Sequence, residues 1–181
     1  MTKEKLALFG GPKTIDVSFD RYNPIGKEEI KAVNTVMESG ILSQFLGSWD
    51  PDFYGGTNVQ AFERQCEDYF GVKHAITVNS WTSGLIAALG AVDLEPGDEV
   101  IVPDLTFIAP VNAVLYVGAT PVLVDIDQHT MTMNMDAAEQ AVTSSTRAII
   151  PVHLYGHPAD MGRVMALAQQ HELVVIEDCA E

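Results

Sequence analysis

Leu173-Val-Val-Ile-Glu-Asp-Cys-Ala-Glu181 closes the sequence with four apolar residues, three of them β-branched, followed by two carboxylates. A run of that kind reads as a strand buried on both faces, the habit of parallel sheets. Glu177 and Asp178 then stand at its carboxyl end, the edge of an open α/β sheet where ligands bind. Working back from it, apolar strands and helical periodicities alternate. Strands are expected at His74–Val78, Glu99–Val102, Pro121–Asp125, Ala148–His153 and Leu173–Ile176. Helices are expected at Thr82–Val92, Ile108–Val117, Met135–Val142 and Ala159–His171. This βαβα rhythm predicts an α/β fold: three αβα layers around a mainly parallel sheet.

Upstream of the alternation, residues 1–25 form a Gly- and Pro-containing lead-in, including Gly10-Gly11-Pro12. Ile30, Val33 and Val36 have helical spacing, with Gly40 as a stop. Residues 41–56 combine Gly47, Pro51, Gly55 and Gly56 with several aromatics. They read as a long loop, either functional or partner-contacting or simply a surface segment. Thr57 is the expected N-cap of a helix carrying Val59, Phe62, Cys66 and Phe70 on one face, closed by Gly71. The domain reading is a lead-in over 1–25 and one domain from 26 to 181.

The chain has 181 residues, 47% hydrophobic and 19% charged, which fits a folded globular protein. Twenty-five acids against ten bases give a formal net charge of -15. That field repels phosphate, so neither nucleic acid nor an anionic membrane is an expected partner. A phosphorylated small molecule stays open, because a local nest of amides can override the global field. Cys66 and Cys179 form no CxxC pair, and no signal-like or membrane-length apolar run is present. A reduced, cytoplasmic protein is expected.

Four segments could carry chemistry. Asn79-Ser-Trp-Thr-Ser-Gly84 lies between a strand and a helix; its free amides suit an anion, though a Ser/Thr-rich start also serves as a plain cap. Pro103-Asp-Leu-Thr-Phe107 follows a strand, so Phe107 either stacks on a flat ring in the cleft or packs in the core. Glu177-Asp-Cys-Ala-Glu181 could hold a ring nitrogen cationic or cap the next segment. His153-Leu-Tyr-Gly-His157-Pro158 reads as a loop lining the cleft rather than a zinc site, because Gly156 and Pro158 oppose a helix. No Walker loop, GxGxxG or Ser-His-Asp order occurs, which removes the main support for P-loop, dinucleotide-binding and hydrolase readings.

In order, Tyr69-Phe-Gly-Val-Lys-His-Ala75, Asn79-Ser-Trp-Thr-Ser83, Pro96-Gly-Asp-Glu-Val-Ile-Val-Pro103, Thr106-Phe107, Gly118-Ala-Thr-Pro121, Pro151-Val-His-Leu-Tyr-Gly156 and Glu177-Asp-Cys-Ala180 resemble the DegT/DnrJ/EryC1/StrS sugar aminotransferases. The resemblance runs from about Asn23 to the last residue. It implies the large domain, incomplete, of the fold type I pyridoxal-phosphate transferases, with pyridoxal 5'-phosphate as cofactor. It also implies roles. Trp81 and Thr82 would hold the cofactor phosphate, Phe107 would stack on the pyridine ring, and Asp178 would pair with the ring nitrogen. Glu181 would lie near the phenolic oxygen, where relatives commonly have Gln or His and perosamine-synthase types have Glu. Trp81 stands where a smaller residue is usual.

The family's Schiff-base lysine would lie beyond Glu181, and Lys3, Lys5, Lys13, Lys27, Lys31 and Lys73 match no catalytic position. The resemblance therefore implies the N-terminal half of a longer enzyme, inactive alone. That enzyme would be a homodimer transferring an amino group from glutamate or glutamine to the keto group of a nucleotide-linked sugar or cyclitol. A regulatory or binding relic of the same fold and a pyridoxal-phosphate-dependent sugar dehydratase are the alternatives.

Overall fold

The computed structural model describes residues 5–15, 17–18, 20–42, 44–45, 47–51 and 53–181. Met1–Glu4, Asp16 and Phe19 of the lead-in, and Ser43, Leu46 and Asp52 of the 41–56 segment, lie outside the described residues. Two compact units make up the chain, residues 1–75 and 76–181.

The first unit is helical where it is regular. After a 3-10 turn at Ala7–Phe9, helix α1 spans Lys27–Ser39 and α2 spans Thr57–Phe70. At the start of α1 the Glu29 carboxylate accepts the Gly26 N–H at 2.7 Å, satisfying one of the donors a helix start leaves open. Gly40 and Gly71 close the two helices in left-handed conformation, as their sequence positions predict. One boundary differs from expectation. The N-cap of α2 is Gly56, and Thr57 is already helical. A capping glycine leaves no side-chain signal, so the hydroxyl next to it attracts the assignment. Between the helices, Trp49 stacks on Phe53 (4.7 Å between centroids), and Tyr54 meets Phe53 edge-on at 5.0 Å.

The second unit holds the sheet. Strands β1 (Glu99–Pro103), β2 (Thr120–Val124), β3 (Thr146–Ile149) and β4 (Val174–Val175) lie in the order β2-β1-β3-β4, all parallel. Helices α3 (Trp81–Ala91), α4 (Ala109–Tyr116), α5 (Met135–Ala141) and α6 (Met161–His171) alternate with them. The α/β expectation holds. The expected strand at His74–Val78 does not: these residues are not part of the sheet, and Ile76 is 83% exposed. Its β-branched residues suit a strand, but a strand exists only through a ladder with a neighbour.

Strand alternation sorts the two cores. Val100, Val102, Ala148, Ile150 and Ile176 pack with Leu85 and Leu89 of α3 and Ala113 and Val114 of α4. Ile101 and Ile149 face the other way, onto Met135 and Ala138 of α5 and Val164, Leu167 and Ala168 of α6. Both cores are closed to solvent at their centres. Leu85, Leu89, Val100, Ile101, Val102, Ile149 and Ile150 have no exposed surface.

This order also fixes the site. The chain leaves β1 toward β2 on one side, returns to β3 on the other, and continues outward to β4. The connections therefore part between β1 and β3, a topological switch point of the kind that opens a crevice at the carboxyl edge.

Candidate active site at the carboxyl edge of the sheet

The turn after α3 feeds β1 at its amino end, so the N-terminus of α3 opens toward the carboxyl edge. Ser80 caps it. Its hydroxyl accepts the Ser83 N–H at 3.2 Å and lies 3.1 Å from the Ser83 hydroxyl. That consumes one first-turn donor. Among the described residues, the amides of Trp81 and Thr82 donate to no protein acceptor, and with the helix dipole behind them they suit an anion. The Trp81 indole does not block them. It lies back over Gly84, where an added Cβ would come within 2.5 Å of the ring. Gly84 is thus the position that makes room for a tryptophan in this turn.

Phe107 follows β1 and precedes α4, and it is 67% exposed. Core packing is therefore not its role; the ring is available to a flat partner. Asp178 sits two residues beyond Ile176 and, by alternation, on the α3 side of the sheet. The ladder reaches it through a bridge to Val152. Its N–H donates to the Pro151 carbonyl at 2.9 Å, and its carbonyl accepts the His153 N–H at 3.0 Å. The side chain is only 4% exposed, accepts the Ala180 N–H at 3.0 Å, and has no cationic group within ion-pair distance among the described residues. A buried carboxylate in that situation suits a cation supplied from outside the chain. Desolvation first, and then the neighbouring Glu177 and Asp178 carboxylates, push the Cys179 thiol up from its ordinary value, which favours its protonated form.

Glu181 is exposed and turned onto the 154–156 segment, where its carboxylate accepts the Tyr155 N–H at 3.1 Å. Tyr155 has φ 54°, left-handed for a non-glycine residue, and such conformations gather at functional sites. The sequence reading missed this contact and the pairing of His153 with Glu177 (2.9 Å); each joins residues more than twenty positions apart. Only the period-two alternation past Ile176 hints at the second. A separate polar hollow lies at the starts of α5 and α6, lined by Asp127, Asn134, Asp136, His157 and Arg163. It contains none of the five predicted site residues.

The free amides, the exposed aromatic ring and the cation-less buried carboxylate fit the phosphate, ring and ring nitrogen of pyridoxal phosphate. The UDP-N-acetyl-3-dehydro-alpha-D-glucosamine 3-aminotransferase of Acidithiobacillus ferrooxidans is 53% identical over 132 residues, 73% of this chain and 36% of that protein. The GDP-perosamine synthase of Caulobacter vibrioides is 51% identical over 126 residues, 70% and 34% of the two chains. Among solved structures, DesV of S. venezuelae in complex with a ketimine intermediate superposes with TM-score 0.75 at 40% identity, covering 84% of this chain and 38% of its own. The GDP-4-keto-6-deoxy-D-mannose-3-dehydratase of E. coli with bound hydrated PLP gives 0.75 at 26% identity, over 87% and 39%. The chain spans little more than a third of the curated relatives it matches. Residues 23–181 match the DegT/DnrJ/EryC1/StrS aminotransferase family, and the chain belongs to that family, whose members are pyridoxal-phosphate-dependent enzymes of fold type I.

Proposed function

We propose that this chain forms the cofactor-binding part of a sugar aminotransferase, which moves an amino group from glutamate or glutamine to the keto group of a nucleotide-linked sugar or cyclitol. The observation that carries the reading is Asp178, buried at the carboxyl edge with no cation of its own. When bound, pyridoxal phosphate supplies an electron sink for the carbanion next to the transferred nitrogen. In this reading Asp178 holds a proton on the ring nitrogen, and desolvation makes that pairing strong enough to fix the charge. The Trp81 and Thr82 amides and the Thr82 hydroxyl bind the phosphate. Phe107 covers one face of the ring and excludes water from it. Glu181 holds the Tyr155 segment beside the site through its carboxylate.

No lysine follows Lys73 in the sequence, so the proton-shuttling base would come from a part of the protein outside these residues. The aromatic group Trp49, Phe53 and Tyr54 is proposed to contact either the sugar nucleotide or a second subunit of a homodimer. Among the described residues no helix is long and apolar enough to cross a membrane. A cytoplasmic location fits the reading.

The test is amino transfer by the full-length protein from 15N-labelled glutamate to nucleotide-linked keto sugars, read as label in the sugar. Label in the sugar is the expected result. The likeness to a dehydratase favours one second reading: a full-length protein that binds the cofactor, transfers no label and instead deoxygenates the sugar is a dehydratase. Binding with neither reaction would point to a regulatory relic.

A further inference from the structure

Beside Asp178, on the opposite side of the same strand end, three further side chains cluster. Alternation puts Glu177 and His153 with Val175 and Ile149, on the α6 side. The His153 ring is largely buried and bonded at both nitrogens. Nδ1 accepts the Ala159 N–H at 3.0 Å, and Nε2 lies 2.9 Å from the Glu177 carboxylate. A ring nitrogen that accepts an amide proton carries none itself, so the hydrogen sits on Nε2 and is donated to Glu177. This fixes both the tautomer and the ring plane. With Cys179, these groups bring three potential metal-ligand atoms within 4.8 Å of one another. A metal at Nε2 would need the hydrogen moved to Nδ1, where it would face the Ala159 N–H. The geometry therefore describes a hydrogen-bonded clamp rather than a metal site.

The clamp adds a side-chain tie to a strand end whose backbone is held by two hydrogen bonds, from the Asp178 N–H to the Pro151 carbonyl and from the His153 N–H to the Asp178 carbonyl. β4 is two residues long, and beyond it the ladder continues only as the Val152–Asp178 bridge. Successive side chains on an extended backbone point to opposite faces. Pinning Glu177 on the α6 side therefore presents Asp178 on the α3 side. We infer that His153 is a positioning residue: by holding Glu177, it aims the Asp178 carboxylate at the ring nitrogen of the bound cofactor. The inference rests on the reading of Asp178 given above.

The test uses the full-length protein and pyridoxamine 5'-phosphate carrying 15N at the ring nitrogen, whose chemical shift distinguishes pyridinium from pyridine. The wild type should bind it as the pyridinium, and the histidine spectrum should show protonated Nε2 and bare Nδ1, unchanged by added Zn2+. Loss of one hydrogen bond to a charged group predicts about tenfold weaker binding for His153→Ala and for Glu177→Ala, with the pyridinium signal diminished. Glu177→Gln keeps an oxygen to accept from Nε2 and should restore both. Glu177 is half exposed, so its variants serve even if His153→Ala does not fold. Wild-type affinity and full pyridinium signal in Glu177→Ala would overturn the inference, as would Zn2+ switching the tautomer. Asp178→Asn separates the two claims. If it keeps the pyridinium, or if the wild type does not bind, the cofactor-site reading itself falls; if Asp178→Asn behaves as expected and the clamp variants are silent, only the positioning role falls.

Discussion

The helices of residues 1–75 and those of residues 76–181 all carry apolar residues, yet the two sets meet different surroundings. In α1, Ile30, Val33 and Met37 are all more than half exposed, as are Phe62 and Phe70 in α2, and neither helix has a buried residue. In α3 the equivalent residues, Leu85 and Leu89, have no exposed surface. Periodicity identifies which side of a helix is apolar; it says nothing of whether a sheet covers that side. Stability from burial is therefore concentrated in the second unit, and the candidate site residues lie in that unit.

Truncation in the two units should break this contrast if it is false. Ile101→Ala removes a side chain enclosed between β2, β3 and the α5/α6 layer. It is expected to cost about 3 kcal/mol of stability in urea unfolding. Phe62→Ala, at a 57% exposed ring, should cost no more than about 0.5 kcal/mol. Equal costs would show that the first unit has a core of its own.

Backbone strain should sharpen the contrast by ignoring it. Gly71 (φ 65°) ends α2 in the first unit and Gly118 (φ 84°) follows α4 in the second, and neither position has anything within 4 Å of an added Cβ. Alanine at either is expected to cost about 1–2 kcal/mol, from the left-handed conformation alone. A large difference between the two would mean that packing, and not local geometry, sets the cost.

The smallest effects should come from two carboxylates bonded to backbone amides. Asp127 is held below the usual carboxylate range by the His129 and Thr130 amides, and Glu29 by the Gly26 amide. A lowered folded-state value stabilises the protein above the ordinary carboxylate range and is lost as the pH falls through the lowered one. Thermal melting of Asp127→Asn and Glu29→Gln should thus fall slightly below wild type at neutral pH and converge with it in acid. A gap that widens in acid would reverse the sign.

Much of the site-bearing fold was legible because it rests on local pattern. Pro96-Gly97 and Gly118 mark turns, apolar runs mark β1 to β4, and the two carboxylates after Ile176 mark the edge. His74–Val78 misled because β propensity is local while a ladder partner is not. Phe107 could not be assigned to cleft or core from sequence, since exposure depends on what neighbouring elements cover. The Glu177–His153 and Glu181–Tyr155 contacts were illegible for a related reason. They follow from the register that pairs Val152 with Asp178, across twenty-six positions of sequence.

The central claim is that the carboxyl edge of this sheet cradles pyridoxal phosphate, with Asp178 on its ring nitrogen. Calorimetric titration of the wild-type chain and Asp178→Asn with pyridoxamine 5'-phosphate tests it most directly. The account predicts one site in the wild type and binding weakened by about tenfold or more in Asp178→Asn, the loss of a charged hydrogen bond in a buried setting. Equal affinity in the two proteins, both folded, would contradict it.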